Sequence, residues 1–548
     1  MSASSKKKLR NELNAAKLTE RQLAEQKEAK KIKLMTFSFT AVLAVILVVA
    51  LVFAVTQFVT NSGIREKNTV ALTIGDQEMS NAQLNYYYVD AVYEFSQTYG
   101  SYASLFGLDL TKPLNEQVVN PETGATWADD FLTSAKSNAQ STIALVNAAK
   151  EAGHTLTAEE LNSVNSTVST MEIYASINGY TVDQYIQAFY GPGASLESFR
   201  EYSENRALAQ SYYSSYVAQL TYEEADLREA EAGKEAEFSA YTYDYYYLNV
   251  SKFLQGGTTA EDGTTTYSDE ERAAAVAAAE AAAKEVVAAE IASTEDLNAA
   301  IAALAVNAEA TTAPTATVCA DYAYANVTTA AKEWITDASR KAGDVTYVAN
   351  STTSTNEDGT ETTTVNGYYV VLFHEANDNT FPLVNVRHIL ITPEGGTYDS
   401  ATGTTKYTDE EKLAAKVKAE ELLAQFLAGK AIEENFAALA TEHTTDPGSK
   451  ENGGLYEDVY PGEMVASFND WCFAEGRKAG DTGIVETEYG YHIMFYVSDS
   501  ETSYRDLLIE NSIRSADAEA WYAALIEATV VTELNTQYLS KDLVLSAQ

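Results

Sequence analysis

Two short apolar runs, VNVRHILIT (Val384–Thr392) and YGYHIMFYV (Tyr489–Val497), decide how this chain is read. Each is rich in β-branched and aromatic residues and predicts a strand. Each carries one histidine, His388 in the first and His492 in the second. Strands supplied from opposite ends of about a hundred residues are expected to pair as neighbours in a small sheet, with both imidazoles meeting in one place. Between them lie a charged, helix-favouring segment, the glycine pair after Asn452, and the string PGEMVASFNDWCF (Pro461–Phe473).

The same blocks recur upstream in the same order. YSDEERAAAVAAAEAAAKEVVAA (Tyr267–Ala289) echoes YTDEEKLAAKVKAEELLAQF (Tyr407–Phe426), and EWITDASRKAGDVTYV (Glu333–Val348) echoes DWCFAEGRKAGDTGIV (Asp470–Val485). NGYYVVLFHE (Asn366–Glu375) echoes YGYHIMFYVS (Tyr489–Ser498), while YDYYYLNVS (Tyr243–Ser251) takes the place of the first strand. The chain therefore holds two tandem copies of one unit, about 236–378 and 380–500. In the upstream copy Tyr247 stands for His388, Tyr369 for His492, and Val327 and Ala331 for Met464 and Phe468. That copy also carries a polar insertion, STTSTNEDGTETTTV (351–365), expected in a surface hairpin.

Upstream of both copies, VALTIGDQEMSNAQLNYYYVDAVYEF (Val70–Phe95) predicts a short strand, a turn at Gly75-Asp76, and a helix capped by Ser80 with Gln83 three residues on. Helical periodicity then continues to residue 235, with aromatic residues such as Tyr212, Tyr213 and Tyr216 recurring at helical spacing. Aromatics so spaced read first as helix core. The 36 tyrosines of the chain also supply amphipathic rings suited to contacts with partly unfolded polypeptide. The tail after residue 500 reads as amphipathic helix, too short to fold alone.

The N-terminal end differs in kind. Residues 1–33 carry ten Lys or Arg against four Glu, in a chain whose net charge is −42. The remainder is thus strongly acidic, which argues against nucleic acid or anionic lipid as a partner. Leu34–Val59 is an almost unbroken apolar run without a charge, long enough to span a membrane as a helix. A cleaved signal peptide is the competing reading, but it has a shorter apolar region and a small-residue cleavage site. With the basic side held in the cytoplasm, the chain from about Thr60 lies outside the cell membrane. The two cysteines, Cys319 and Cys472, read as buried apolar residues or as a single bridge.

Taken together, VRHILI, NFAALATEHTTDPGSKENGGL (Asn435–Leu455), PGEMVASFNDWCF and TEYGYHIM resemble the parvulin family of peptidyl-prolyl cis/trans isomerases. The whole chain looks like a membrane-anchored foldase of the PrsA/SurA type. The likeness is strong over 384–497; over 68–235 and the tail it rests on helical pattern and the GDQEMSNAQL-like opening. It implies an α+β architecture: a cytoplasmic basic tail (1–33), a transmembrane helix (34–60), a helical chaperone-like region (64–235), a degenerate parvulin-like domain (236–378), a parvulin domain (380–500), and a C-terminal helical segment (501–548) that completes the chaperone-like region. Carried over by position, the resemblance implies His388, Asp446 and His492 as the catalytic group. It implies Met464 and Phe468, with Leu455 as a further wall, as the socket for a proline ring. The family pattern has Asp before that leucine and Gly after it, where this chain has Gly454 and Tyr456, and the loop to Pro461 is about one residue longer. No cofactor or metal is implied. The partners implied are unfolded or partly folded secreted polypeptides presenting X-Pro bonds.

The residue types suit that chemistry without the resemblance. An X-Pro bond exchanges isomers slowly because rotation breaks amide resonance. A catalyst needs an apolar socket and a preference for the twisted amide, not a nucleophile. Met464 and Phe468 stand four apart, as on one helix face. Two imidazoles sharing a hydrogen bond need one donor and one acceptor nitrogen, so at least one is neutral. Clustered metal-ligand spacing, a P-loop, a Gly-x-Ser-x-Gly elbow and a Rossmann fingerprint are all missing from the sequence. The loop PEGGTYDSATGTTK offers no paired basic residues for a phosphorylated substrate. A holdase chaperone with little turnover is the alternative reading.

Overall fold

The computed structural model describes residues 62–544, apart from 261, 262, 357, 401 and 402. The basic tail (1–33) and the anchor (34–60) lie outside the described residues, among which no helix is long and apolar enough to cross a membrane. The described chain is mixed α+β and divides into two units. One is made of residues up to Leu220 together with those from Asp517, the other of Thr221–Ala516.

The first unit is mainly helical. Strands β1 (Val70–Ile74) and β2 (Gln77–Ser80) form a hairpin, and a short strand at Val531–Glu533 pairs with the free side of β1, Leu72 opposite Glu533. Ser80 caps α1 (Asn81–Tyr99) through a capping box with Gln83, as its sequence predicts. Helices α2 (Trp127–Glu151), α3 (Ala158–Ile177), α4 (Val182–Tyr190) and α5 (Leu196–Ala218) follow. The tyrosines at helical spacing, Tyr212, Tyr213 and Tyr216, are only partly buried; the fully buried ones are Tyr86 and Tyr88, and the Tyr86 ring stacks on Tyr202 at 4.9 Å. Tyr202 donates to Asp90 at 2.6 Å, whereas the buried Tyr88 hydroxyl has no partner among the described residues. The C-terminal residues of this unit pack on its helices, with Trp521 stacked on Tyr216 at 3.7 Å. Asn81 Nδ2 donates to the carbonyl of Asn535, 454 residues away, at 2.8 Å.

The second unit contains two four-stranded sheets of one design. Strands β3 (Ala240–Asn249), β4 (Thr317–Ala323), β5 (Val345–Thr355) and β6 (Glu361–Asn377) form a sheet of order β4-β3-β6-β5, with α6 (Asp269–Val287) and α7 (Thr294–Ala303) on one face. Strands β7 (Pro382–Ile391), β8 (Leu455–Val459), β9 (Thr482–Thr487) and β10 (Gly490–Ser503) repeat the order as β8-β7-β10-β9. All the pairings are antiparallel. Alternation along β7 and β10 explains the two layers. Ile389, Ile391, Ile493 and Phe495 face α8 (Asp409–Ala428) and α9 (Glu433–His443), where Ala415 and Ala419 let the helix approach closely. Val386, Met494 and Tyr496 face the other way, onto Phe468 and Cys472 of the short helix α10 (Ala466–Cys472). Both cysteines are free and buried.

The ladders correct one correspondence between the copies. His388 pairs with Met494 and Leu390 with His492; in the upstream sheet Tyr245 pairs with Val371 and Tyr247 with Tyr369. Tyr369 therefore occupies the place of His492, as expected, but the place of His388 belongs to Tyr245 and not to Tyr247. A run of consecutive tyrosines has no alternation to set its register; pairing with β6 sets it. The rings of Tyr245 and Tyr369 meet edge to face at 5.4 Å where the downstream copy has its imidazoles. Val327 and Ala331 are buried beneath this pair, and the polar insertion forms the exposed ends of β5 and β6. His374 bonds the buried carboxylate of Asp244 at 2.9 Å.

The two ends of this unit are held to each other. Arg505, 7% exposed, pairs with Glu231 at 2.5 Å and donates to the carbonyls of Glu235 and Asp378 at 2.9 Å.

Candidate active site

His388 and His492 sit on the central strands β7 and β10, on the same face, offset by two ladder pairs. Beyond Arg387 the outer edge of β7 loses β8 as partner. The backbone of His388 donates instead to the carbonyl of Gly454 at 2.8 Å, and Leu390 accepts from Thr445 N at 2.9 Å. Leu390 N donates to Thr444 Oγ1 at 3.0 Å. The Thr444–Gly454 segment is thereby stitched along β7, which delivers Asp446 to His388. Only glycine fits at 454: φ is +76°, and an added Cβ would stand 2.2 Å from the His388 carbonyl oxygen and 2.9 Å from Ala440 Cβ. From the opposite face Arg387 clamps the same loop, bonding Glu433 at 2.9 Å and the carbonyls of Asn452 and Gly453 at 2.8 and 3.0 Å.

The polar groups form one chain of hydrogen bonds. His388 Nδ1 and His492 Nδ1 are 2.9 Å apart. His388 Nε2 is 3.0 Å from Asp446 Oδ2, and His492 Nε2 is 2.8 Å from Thr487 Oγ1. A carboxylate only accepts, so His388 carries its proton on Nε2 and its Nδ1 accepts from His492 Nδ1–H. His492 Nε2 is then an acceptor for the Thr487 hydroxyl. Every bond is satisfied with both rings neutral. The electrostatics agree. Burial pushes His388 below the usual imidazole range, and burial together with the neighbouring His388 pushes His492 down to about 3. Burial opposes ionisation of Asp446, but hydrogen bonds from Ser449 and His388 outweigh it and hold the carboxyl down at about 2. The site thus pairs a screened carboxylate with two uncharged rings.

Phe468 roofs the pair. Its ring, on a residue 2% exposed, stands edge-on to His388 at 5.5 Å and to His492 at 5.4 Å. Met464 packs in the same apolar cluster and is only partly buried. It does not share a helix face with Phe468, because α10 starts at Ala466 and Met464 precedes it. The wall expected at Leu455 is formed by its neighbour. Leu455 pairs with Arg387 and so shares the face away from the imidazoles, whereas Tyr456, opposite Val386, shares theirs. The Tyr456 ring lies 5.2 Å from His388, and its hydroxyl donates to Asp446 at 3.1 Å. The site therefore unites His388, Asp446, His492, Phe468 and Met464 and leaves out Leu455. Sequence reasoning missed Tyr456, Thr487 and the fully buried Ser449, whose backbone N–H bonds Asp446 at 3.1 Å. A signal for Ser449 was present, since Asp followed three residues later by Ser is a turn in which the carboxylate caps the backbone.

Residues 368–500 match the family of the PPIC-type PPIASE domain. This part of the second unit is a parvulin-type domain. Similar proteins include PrsA foldases: Foldase protein PrsA 1 of Listeria monocytogenes serotype 4b (strain F2365) is 34% identical over 110 residues, 20% of this chain and 34% of that protein. Foldase protein PrsA of Geobacillus sp. (strain WCH70) is 44% identical over 69 residues, 12% of this chain and 24% of that one. The chain thus spans about a third or less of the length of these relatives. Among solved structures, a peptidylprolyl isomerase (PrsA) from Bacillus cereus is 25% identical, with a TM-score of 0.18, covering 28% of this chain and 50% of its own.

Proposed function

We propose that the chain is a peptidyl-prolyl cis/trans isomerase and foldase acting on secreted polypeptides outside the cell membrane. The observation that carries the reading is the imidazole pair hydrogen-bonded to Asp446 beneath Phe468. The planar amide is strongly dipolar, and twisting it by rotation about C–N reduces that dipole. A dry lining, whose one carboxylate is screened by its own hydrogen-bond donors, costs the planar forms their solvation and so favours the twisted one. Phe468 and Met464 supply the apolar grip on the pyrrolidine, His388, His492 and Asp446 a rigid polar floor, and no group changes its proton. The upstream sheet, with tyrosines in place of both imidazoles, is a silent copy. The basic leader and the charge-free run after it support a single-pass anchor at the N-terminal side, with the bulk of the chain extracytoplasmic.

One observation favours a holding activity beside turnover. The end of α3 and the turn after it expose Ile173, Tyr174, Ile177 and Tyr180, each at least half exposed. Apolar surface of that kind suits non-native segments. The test uses the full chain on an Ala-Pro peptide: acceleration in the wild type and a loss of tenfold or more in His492→Ala, with the fold retained, are expected. A wild-type chain that suppresses aggregation without accelerating isomerisation would refute the isomerase reading and leave a holdase.

A further inference from the structure

Asp446 carries more donors than one oxygen can serve. His388 Nε2, the Ser449 N–H, the Ser449 hydroxyl and the Tyr456 hydroxyl all converge on Oδ2, while Oδ1 receives only Gly448 N at 3.3 Å. A carboxylate oxygen has about two lone-pair directions, so the donors compete and each bond is weaker than it would be alone. Three of the four cannot leave. Ser449 is fully buried and fixed by its own backbone, and His388 is 3% exposed and held by β7 and by His492. Tyr456 alone is partly exposed, on the wall of the site beside Met464. Burial and the adjacent carboxylate raise its phenol to about 12, so it keeps its proton as a donor.

A twisting X-Pro bond creates one new acceptor. As conjugation is lost, the nitrogen lone pair localises and the carbonyl oxygen loses charge. A donor on the oxygen therefore favours the planar forms, and a donor on the nitrogen favours the twisted one. We propose that the Tyr456 hydroxyl swings from Asp446 to the prolyl nitrogen as the bond rotates, and returns when planarity is restored. This rests on the isomerase reading above. The hydroxyl leaves an oxygen that retains three donors, so Asp446 stays satisfied throughout, and no covalent bond forms or breaks.

The experiment measures kcat and KM of the full chain on an Ala-Pro peptide for wild type, Tyr456→Phe, Asp446→Asn and the double variant. Tyr456→Phe keeps the ring, and its unfolding midpoint is measured in parallel. The expected result is a fall in kcat of about tenfold, the worth of one hydrogen bond made in the transition state, with KM and the midpoint unchanged. The same fall is expected in the Asp446→Asn background. If Tyr456→Phe has no effect there, Tyr456 acts only by supporting Asp446, and the proposal is overturned. An active wild type with an unchanged Tyr456→Phe also overturns it and leaves the isomerase reading standing. A wild type without turnover ends both.

Discussion

Acid should unfold this protein through His492, and the size of the effect follows from the site. In the fold its imidazole is pushed down to about 3, against about 6.5 in an unfolded chain. Below pH 6.5 the unfolded chain takes up a proton that the folded site refuses. Stability is therefore full above that pH and drains away as the pH falls towards 3. Each unit is about 1.4 kcal/mol, so between pH 7.5 and 5.0 the loss from His492 is about 2 kcal/mol. His388, also lowered by burial, acts in the same direction. Asp446 contributes only below the ordinary carboxylate range, because its carboxyl is held at about 2. The assay is urea unfolding of wild type and His492→Gln at both pH values. Titrations outside the His388–His492 pair are common to the two chains, and their difference reports on the pair. Wild type should lose about 2 kcal/mol more than the variant on acidification. Equal losses, or a wild type that gains stability in acid, would show that His492 is charged in the fold and would break the hydrogen-bond chain derived for the site.

The same neutrality makes isomerisation independent of pH from about 5.5 to 8, checked by a peptide assay across that range; a bell-shaped profile would mean that an imidazole titrates in the working enzyme. Gly454→Ala should cost about 3 kcal/mol or more, since positive φ and a Cβ pressed on a carbonyl oxygen add. A thermal melt within a degree of wild type would mean that the loop has room to move. Met464→Ala should raise KM for an X-Pro peptide with little change in unfolding midpoint, and an unaltered KM would put the proline socket elsewhere.

How much the sequence discloses depends on what fixes each feature. The two imidazole strands, the duplicated blocks and the Ser80 cap are written as local patterns, and alternation or capping chemistry is enough to read them. Asp446 is legible through its motif. The copies' register at Tyr245–Tyr247 is not, because identical residues on both faces leave the pairing undetermined until β6 is alongside. Leu455 and Tyr456 exchange roles for a related reason. The positive φ of Gly453 and Gly454 sets which residue enters the ladder facing Val386, and a backbone turn of that kind shifts a face without leaving a mark in hydrophobicity. Thr487, the last residue of β9, and Ser449, in a loop, are polar residues among polar neighbours. Only distance to a ring nitrogen or a carboxylate distinguishes them from their neighbours.

The pairing of β1 with Val531–Glu533 has a consequence for synthesis. Joining Asn81 to Asn535 across 454 residues is cheap as entropy, because closure cost grows only with the logarithm of length. The Arg505–Glu231 clamp shortens the open segment to roughly 180 residues and so lowers that cost by only about 0.8 kcal/mol. Timing is the larger constraint. A ribosome delivers the two imidazole strands and their helices well before Val531, so the inserted unit has every residue it needs while β1 still presents a bare edge. The helical half is the last to close, and a nascent chain stopped after the parvulin fold would leave that edge open to other strands.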